Sequence, residues 1–207
     1  MTQRYQGVDT GYLIFSERRV PVDEAEIPLV IRARGGASSA FLREFLASHS
    51  MQINQDIARY GAVLLRGFDI KSYADFQAQV LSIRGMRGMS EVLMSEPGRT
   101  LREGTNLVFH TNALFKTGSS LKFGMFHTEN YFSPDVPRYV SFFCRKSGRV
   151  GGETGLINTA KVYADLPEAT RSKLEARSCL VSLCPFLRAP VHGGQDSGIM
   201  TDTIPVR

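Results

Sequence analysis

The sequence predicts an α+β fold in which helices flank a jelly roll, a double-stranded β-helix of two facing sheets. Three observations predict it. Apolar residues at helical spacing fill the first part of the chain, short apolar runs bounded by Gly and Pro follow, and one run leads into polar residues 127–130. Short strands that curl around a polar site are typical of a jelly roll. We expect a single domain over residues 1–207, with an N-terminal arm and helices in 1–60 and the jelly roll in 61–207.

The composition is that of a soluble globular protein, with 43% hydrophobic and 22% charged residues. The formal net charge of +5 comes from basic residues that are scattered along the chain. Nucleic-acid-binding proteins cluster their Lys and Arg residues, so this class is disfavoured. The N-terminus lacks an apolar secretion signal, and no apolar run approaches the ~20 residues that cross a bilayer. We therefore expect a cytoplasmic protein with no membrane or nucleic-acid partner.

The three cysteines, Cys144, Cys179 and Cys184, lie in apolar segments and form no Cys-x-x-Cys pair. An odd count argues against a disulfide framework. Apolar surroundings favour buried, reduced thiols, as is usual in the cytosol.

The first segments predict an arm and a strand. Residues 1–27 mix apolar and charged side chains and predict an irregular arm or an edge strand. Residues 28–33 are mostly apolar and predict a short strand, which Gly35 and Gly36 close.

Two helices are predicted next. Ser38 and Ser39 can cap the first helix. Its apolar positions follow the helical spacing of three and four: Phe41, Leu42, Phe45 and Leu46. The second helix is predicted from about residue 52 to 60, where Gly61 stops it.

A strand and a third helix complete this part of the chain. Residues 62–65 form a continuous apolar run that predicts a strand, and Arg66 follows as a structural ion-pair partner. A helix is predicted from Ser72 to about Gly85. Its apolar face contains Tyr73, Phe76, Val80 and Leu81.

Later segments predict further strands and helices. The strands are residues 92–94, 106–111, 139–144 and 153–158. Because residues 139–144 alternate too little for a half-exposed strand, we expect that strand to be central and buried. One helix is predicted to begin at Thr159, and another has Pro167 in its first turn and Leu174 on its inner side.

The chemistry of the chain centres on a short polar motif. An imidazole and a carboxylate lie two residues apart, at His127 and Glu129. If the preceding run is a strand, alternate side chains point to one face, so these two converge while Thr128 turns away. An imidazole and a carboxylate, completed by a second histidine, form the ligand set of non-haem Fe(II) oxygenases. Taken alone, the pair also fits a core histidine beside a surface carboxylate.

Two more motifs follow in order: Pro-x-x-Pro at residues 134–137 and Gly-Gly-Glu-Thr at residues 151–154. Together with His-Thr-Glu-Asn at residues 127–130, they resemble the TauD/TfdA-like family of Fe(II)- and 2-oxoglutarate-dependent dioxygenases. The resemblance runs from about residue 60 to about residue 176. It is nearest to clavaminate-synthase-like and amino-acid-hydroxylating members, which carry Glu in the metal motif.

The resemblance implies a cupin-like jelly roll that uses Fe(II), with 2-oxoglutarate and O2 as co-substrates. His127 and Glu129 match the metal ligands of the family, and Thr154 matches the threonine whose hydroxyl binds a carboxylate of 2-oxoglutarate. Residues 116–120 match a lid loop at the mouth of the active site. Asn130 fits either a contact with a polar substrate or a structural cap.

The family pattern also contains a second metal histidine, followed by an arginine that grips the distal carboxylate of 2-oxoglutarate with two hydrogen bonds. The histidine that follows Glu129 in this chain is His192, and Arg207 lies beyond it. A Gly-rich stretch after His192 predicts a loop in place of the apolar strand that carries this ligand in the family. We therefore expect the C-terminal strands to be missing, which predicts an oligomer or a separate C-terminal segment.

Two functions remain open at this point. The first is an oxygenase that hydroxylates or desaturates an amino acid or a related small polar metabolite, free or carrier-bound. His127, Glu129 and Thr154 favour it. The second is a catalytically incomplete remnant of the family that acts as a binding or interaction domain, which the missing C-terminal motif favours.

Overall fold

The computed structural model describes residues 4–18, 27–88, 101–108, 126–128, 136–147, 149, 153–177, 180–181 and 204–205. The chain divides into two compact units. The first contains Met1–Gly88 and Leu101–Val108, and the second contains Met89–Thr100 and Phe109–Arg207. The expectation of a single domain over residues 1–207 stays a prediction.

The first unit is built on a mixed three-stranded sheet. Its strands are β1 (Val8–Gly11), β2 (Leu29–Ser38) and β3 (Val63–Asp69), in the order β1-β2-β3. β1 is antiparallel to β2, which confirms an edge strand in the N-terminal arm, and β2 is parallel to β3. A parallel pair needs a long crossover, and the two helices between β2 and β3 provide it.

β2 is longer than predicted. The strand does not end at Gly35 and Gly36 but continues to Ser38, with φ angles of 69° and 75° at the two glycines. The pairing with β3 changes register between Arg32 and Ala37. The glycines therefore form an irregularity inside the strand, since positive φ is easily adopted by glycine.

The helices α1 (Ser39–Ser48) and α2 (Ser50–Tyr60) confirm the two predicted after β2, although α2 begins earlier than expected. The Ser38 side chain accepts a hydrogen bond from the backbone N–H of Phe41 at 3.2 Å and caps α1. Gly61 ends α2 in the left-handed conformation, with φ of 70°. Local capping chemistry therefore fixes the start of α1 and the end of α2.

β3 extends beyond the predicted apolar run and includes Arg66. It is followed by α3 (Tyr73–Ser82), which ends a little before the predicted Gly85. The Ser72 hydroxyl accepts a hydrogen bond from the N–H of Asp75 at 3.0 Å, which confirms the predicted start of this helix.

The core of the first unit lies between the sheet and the helices. It contains Tyr5, Val8, Ile31, Leu42, Phe45, Leu46, Ile53 and Ile83. The ring centroids of Tyr5 and Phe45 are 5.3 Å apart, so the N-terminal segment packs directly on α1. Removal of these side chains from water is the main favourable contribution to this unit.

The described part of the second unit contains two helices, α4 (Thr159–Asp165) and α5 (Glu168–Glu175). It also contains a two-stranded antiparallel pair, β4 (Leu180–Val181) and β5 (Ile204–Pro205). The helix predicted from Thr159 is confirmed. Pro167 lies just before α5, as the N-cap, and Leu174 is 54% exposed, so its predicted inward position is wrong.

The strands predicted at residues 139–144 and 153–158 are not found. Both segments lack regular structure, and Phe142 is 68% exposed. Residues 106–108 also form no strand, whereas residues 92–94, 109–111 and 116–120 lie outside the described residues. A strand needs a hydrogen-bonded neighbour, and the described residues give none to either segment, so an apolar run alone was insufficient evidence.

The prediction of buried thiols is wrong for Cys144, which is exposed and free. Cys179 and Cys184 lie outside the described residues. At the level of class, the α+β prediction agrees with a small mixed sheet and flanking helices. The described strands do not show the double-stranded β-helix, which stays a prediction.

Candidate metal centre

The metal motif lies in the second unit. The described residues Phe126, His127 and Thr128 have no regular secondary structure, and all three side chains are exposed. An exposed imidazole can be reached by a metal ion without displacing core side chains. Glu129 lies outside the described residues, so its predicted convergence with His127 stays a prediction.

Thr154 also belongs to the second unit, in the irregular exposed segment 153–157. Asn158 ends this segment, because its side-chain oxygen accepts a hydrogen bond from the N–H of Lys161 at 3.1 Å and caps α4. The Thr154 side chain is exposed, so its hydroxyl is open to a ligand carboxylate. Three further candidates lie outside the described residues: Asn130, His192 and Arg207.

The donor chemistry fits two ligands of an Fe(II) facial triad. The predicted ligands are the imidazole of His127, whose side chain is exposed, and the carboxylate of Glu129. Among the described residues, no group of three or more His, Cys, Asp or Glu side chains is positioned to hold a metal ion.

The first unit contains a cluster of arginines around one carboxylate. Arg66 on β3 makes an ion pair with Glu17, which confirms that it is an ion-pair partner. Arg32 on β2 also pairs with Glu17, its Nη2 lying 3.2 Å from Oε2. Arg32 and Arg66 are direct partners across the parallel strands. The backbone N–H of Ile14 donates to Glu17 at 3.0 Å, and this bond, with the arginines, lowers the pKa of the Glu17 carboxyl.

A second cluster connects the N-terminal segment to α2. Asp56 is fully buried and accepts a hydrogen bond from the Tyr5 hydroxyl at 2.7 Å. Arg4 forms an ion pair with Asp56 and donates to the Tyr60 hydroxyl at 2.8 Å. Burial, followed by the bond to Asp56, raises the pKa of the Tyr5 hydroxyl far above its usual range, so this group remains a donor.

The sequence analysis missed this cluster, although part of it was visible. Asp56 lies three residues after Ile53 and four before Tyr60, on the buried face of an amphipathic helix. A carboxylate on that face needs partners. The sequence gives no indication that Arg4, 52 residues away, would be one of them.

Comparison with known proteins defines the class. The family model described as "Taurine catabolism dioxygenase TauD, TfdA family" matches residues 28–180, which is most of the chain. The chain therefore belongs to the TauD/TfdA family, whose members use Fe(II) and 2-oxoglutarate. The match includes His127, Glu129 and Thr154, and it confirms the resemblance seen in the sequence.

A curated relative is the dapdiamide synthesis protein DdaC of Enterobacter agglomerans, to which the chain is 27% identical over 141 residues. The aligned part covers 68% of this chain and 40% of DdaC. The aligned part of the chain thus spans less than half the length of this relative. No solved structure matches the chain significantly. The helices in the described residues are all too short or too polar to cross a membrane.

Proposed function

We propose that this chain carries part of the active site of an Fe(II)- and 2-oxoglutarate-dependent dioxygenase. The observation that carries the proposal is the family match over residues 28–180, which contains the three candidate site residues. The proposed reaction is hydroxylation or desaturation of an amino acid or a related small polar metabolite, free or carrier-bound. The name of DdaC, which refers to dapdiamide synthesis, supports a small-molecule substrate.

His127 and Glu129 are proposed as metal ligands. The imidazole binds a metal through a neutral nitrogen, and the carboxylate binds it through an ionised oxygen. Two protein ligands of different charge hold the ion and leave positions open for small molecules. Iron with 2-oxoglutarate and O2 supplies the oxidising chemistry, and the chain positions the ion beside the substrate.

Thr154 is proposed to bind the co-substrate. Its exposed hydroxyl can donate a hydrogen bond to a carboxylate of 2-oxoglutarate without adding charge. Thr154 lies four residues before Asn158, whose side chain caps α4. His192 and Arg207 are the candidates in this chain for the third metal ligand and for the partner of the distal carboxylate.

The test is anaerobic addition of Fe(II) and 2-oxoglutarate to the full chain, followed by visible spectroscopy. We expect a weak metal-to-ligand charge-transfer band, which reports 2-oxoglutarate bound to iron. His127→Ala and Glu129→Gln should abolish it because each removes a ligand. Thr154→Val should keep the band but raise the 2-oxoglutarate concentration needed for half-saturation. Thr128→Val and Glu103→Gln, at exposed positions with no assigned role, are the matched controls.

The proposal fails if the wild-type chain gives no band and consumes no 2-oxoglutarate under O2. It also fails if His127→Ala retains the full band. The first result would leave the alternative function, an incomplete remnant that serves as a binding or interaction domain.

A further inference from the structure

The arginine cluster in the first unit contains a pair of like charges that the fold itself brings together. Arg32 and Arg66 are direct partners on neighbouring parallel strands, so their side chains leave the same face of the sheet. Like charges in such positions repel each other. The Glu17 carboxylate relieves the repulsion by pairing with both guanidinium groups. The two neighbouring guanidinium groups therefore favour binding of an anion between them.

The carboxylate belongs to the short segment that follows β1. We call residues 12–18 the strap. Besides the Glu17 ion pairs, the strap is held by a hydrogen bond from the Arg18 guanidinium to the carbonyl of Ile27, at 3.3 Å, just before β2. The ring of Tyr12 also lies against the ring of Tyr60 on α2, with 6.0 Å between the centroids. Ile14 in the strap is 61% exposed, so it contributes little buried apolar surface. Ion pairs that solvent can reach contribute little net stability, so another anion can compete with Glu17.

We propose that Arg32 and Arg66 form a binding site for an external carboxylate or phosphate anion, which Glu17 occupies in this structure and the strap covers. The backbone positions of the two arginines do not depend on the strap, because β2 is hydrogen-bonded to β1 on one side and to β3 on the other. Each guanidinium presents five N–H donors in a planar fork that matches these anions. The strap is thus an internal competitor for the ligand.

The test compares anion binding by three full-length chains that carry no metal. The chains are stripped of metal with EDTA, which is then removed by dialysis because it is itself a carboxylate anion. Malonate and inorganic phosphate are titrated calorimetrically into the metal-free chains, so that the metal centre does not contribute. Glu17→Gln removes the competing charge, and we expect it to bind at least one anion tenfold or more tightly than the wild type. Asp9→Asn is the matched control, since it breaks the exposed Asp9–Arg34 pair on the same sheet. Adding Arg66→Gln to Glu17→Gln should return binding to the wild-type level.

Equal binding by Glu17→Gln and the wild type, with unchanged circular dichroism, would overturn the proposal. So would tight binding that survives Arg66→Gln. A second measurement needs no variant: amide hydrogen exchange of the strap in the wild-type chain. Malonate or phosphate should accelerate exchange in residues 12–18 more than chloride at equal ionic strength, because the anion displaces Glu17. If neither anion does so, the strap is a permanent structural element and the proposal is wrong.

Discussion

Tyr5→Phe tests whether the buried carboxylate of Asp56 depends on the N-terminal segment. The substitution removes one hydroxyl and leaves the ring, which packs on Phe45, in place. Asp56 is fully buried, and its Oδ2 accepts a hydrogen bond from the Tyr5 hydroxyl at 2.7 Å. A hydrogen bond to a charged group contributes about 1.5–3 kcal/mol, and we expect the free energy of unfolding to fall by that amount.

The assay is urea unfolding followed by far-ultraviolet circular dichroism, because the chain has no tryptophan. The midpoint should fall with little change in the m-value, which reports the surface exposed on unfolding. Tyr163→Phe is the matched control, since it also removes a hydroxyl that bonds to a carboxylate, that of Glu175, but at an exposed position. It should change stability by less than about 0.5 kcal/mol. If Tyr5→Phe lowers the free energy of unfolding no more than this control does, burial does not strengthen the hydrogen bond and the reasoning is refuted.

Two further predictions concern the same unit. Burial and the bond to Asp56 raise the pKa of the Tyr5 hydroxyl above its unfolded value of about 10. Its contribution to the free energy of unfolding is therefore complete below pH 10 and is lost at higher pH. The free energy of unfolding, measured from pH 8 to pH 11, should fall less steeply in Tyr5→Phe than in the wild type, and parallel curves would contradict this. Gly61→Ala should lower the free energy of unfolding by about 1–2 kcal/mol, because a left-handed φ of 70° strains any residue with a Cβ. In the same urea assay, Gly11→Ala should lower the free energy of unfolding by less, since Gly11 is not at positive φ and an added Cβ would meet nothing within 4 Å. An equal decrease at both positions would show that the positive φ is not the cause.

The features that the sequence predicted well are those set by neighbouring residues. Ser38 and Ser72 cap helices, and Gly61 ends one, because each acts on a backbone group within a few positions. Arg66 was correctly expected to form an ion pair, yet its partner Glu17 lies 49 residues away and nothing local points to it. Pairing between distant segments depends on the folded sheet, which brings β3 and the strap together.

The incorrect strand predictions have a related cause. The apolar character of residues 139–144 was read as burial, whereas Phe142 is exposed. Apolar residues enter a core only when another element covers them, and a strand exists only when a neighbour accepts its hydrogen bonds. The candidate site was predicted from residue types and motif order, and its residues stay a prediction. The family to which these motifs pointed is confirmed by the family match. Motif order does not specify how distant segments pair, so it gives no geometry for the site.

The exposure of the candidate site residues connects ligand binding to the stability of the second unit. His127 and Thr154 both have exposed side chains, whereas a catalytic site needs its groups held in fixed positions. A ligand that binds only the ordered arrangement stabilises it by mass action, and metal binding commonly drives such ordering. Fe(II) with 2-oxoglutarate, added anaerobically, should therefore slow amide hydrogen exchange in residues 126–128 and 153–158 of the wild type and leave α1 and α2 unchanged. His127→Ala should show no such protection. Equal protection in that variant, or a charge-transfer band without protection, would mean that these residues do not form the ordered site.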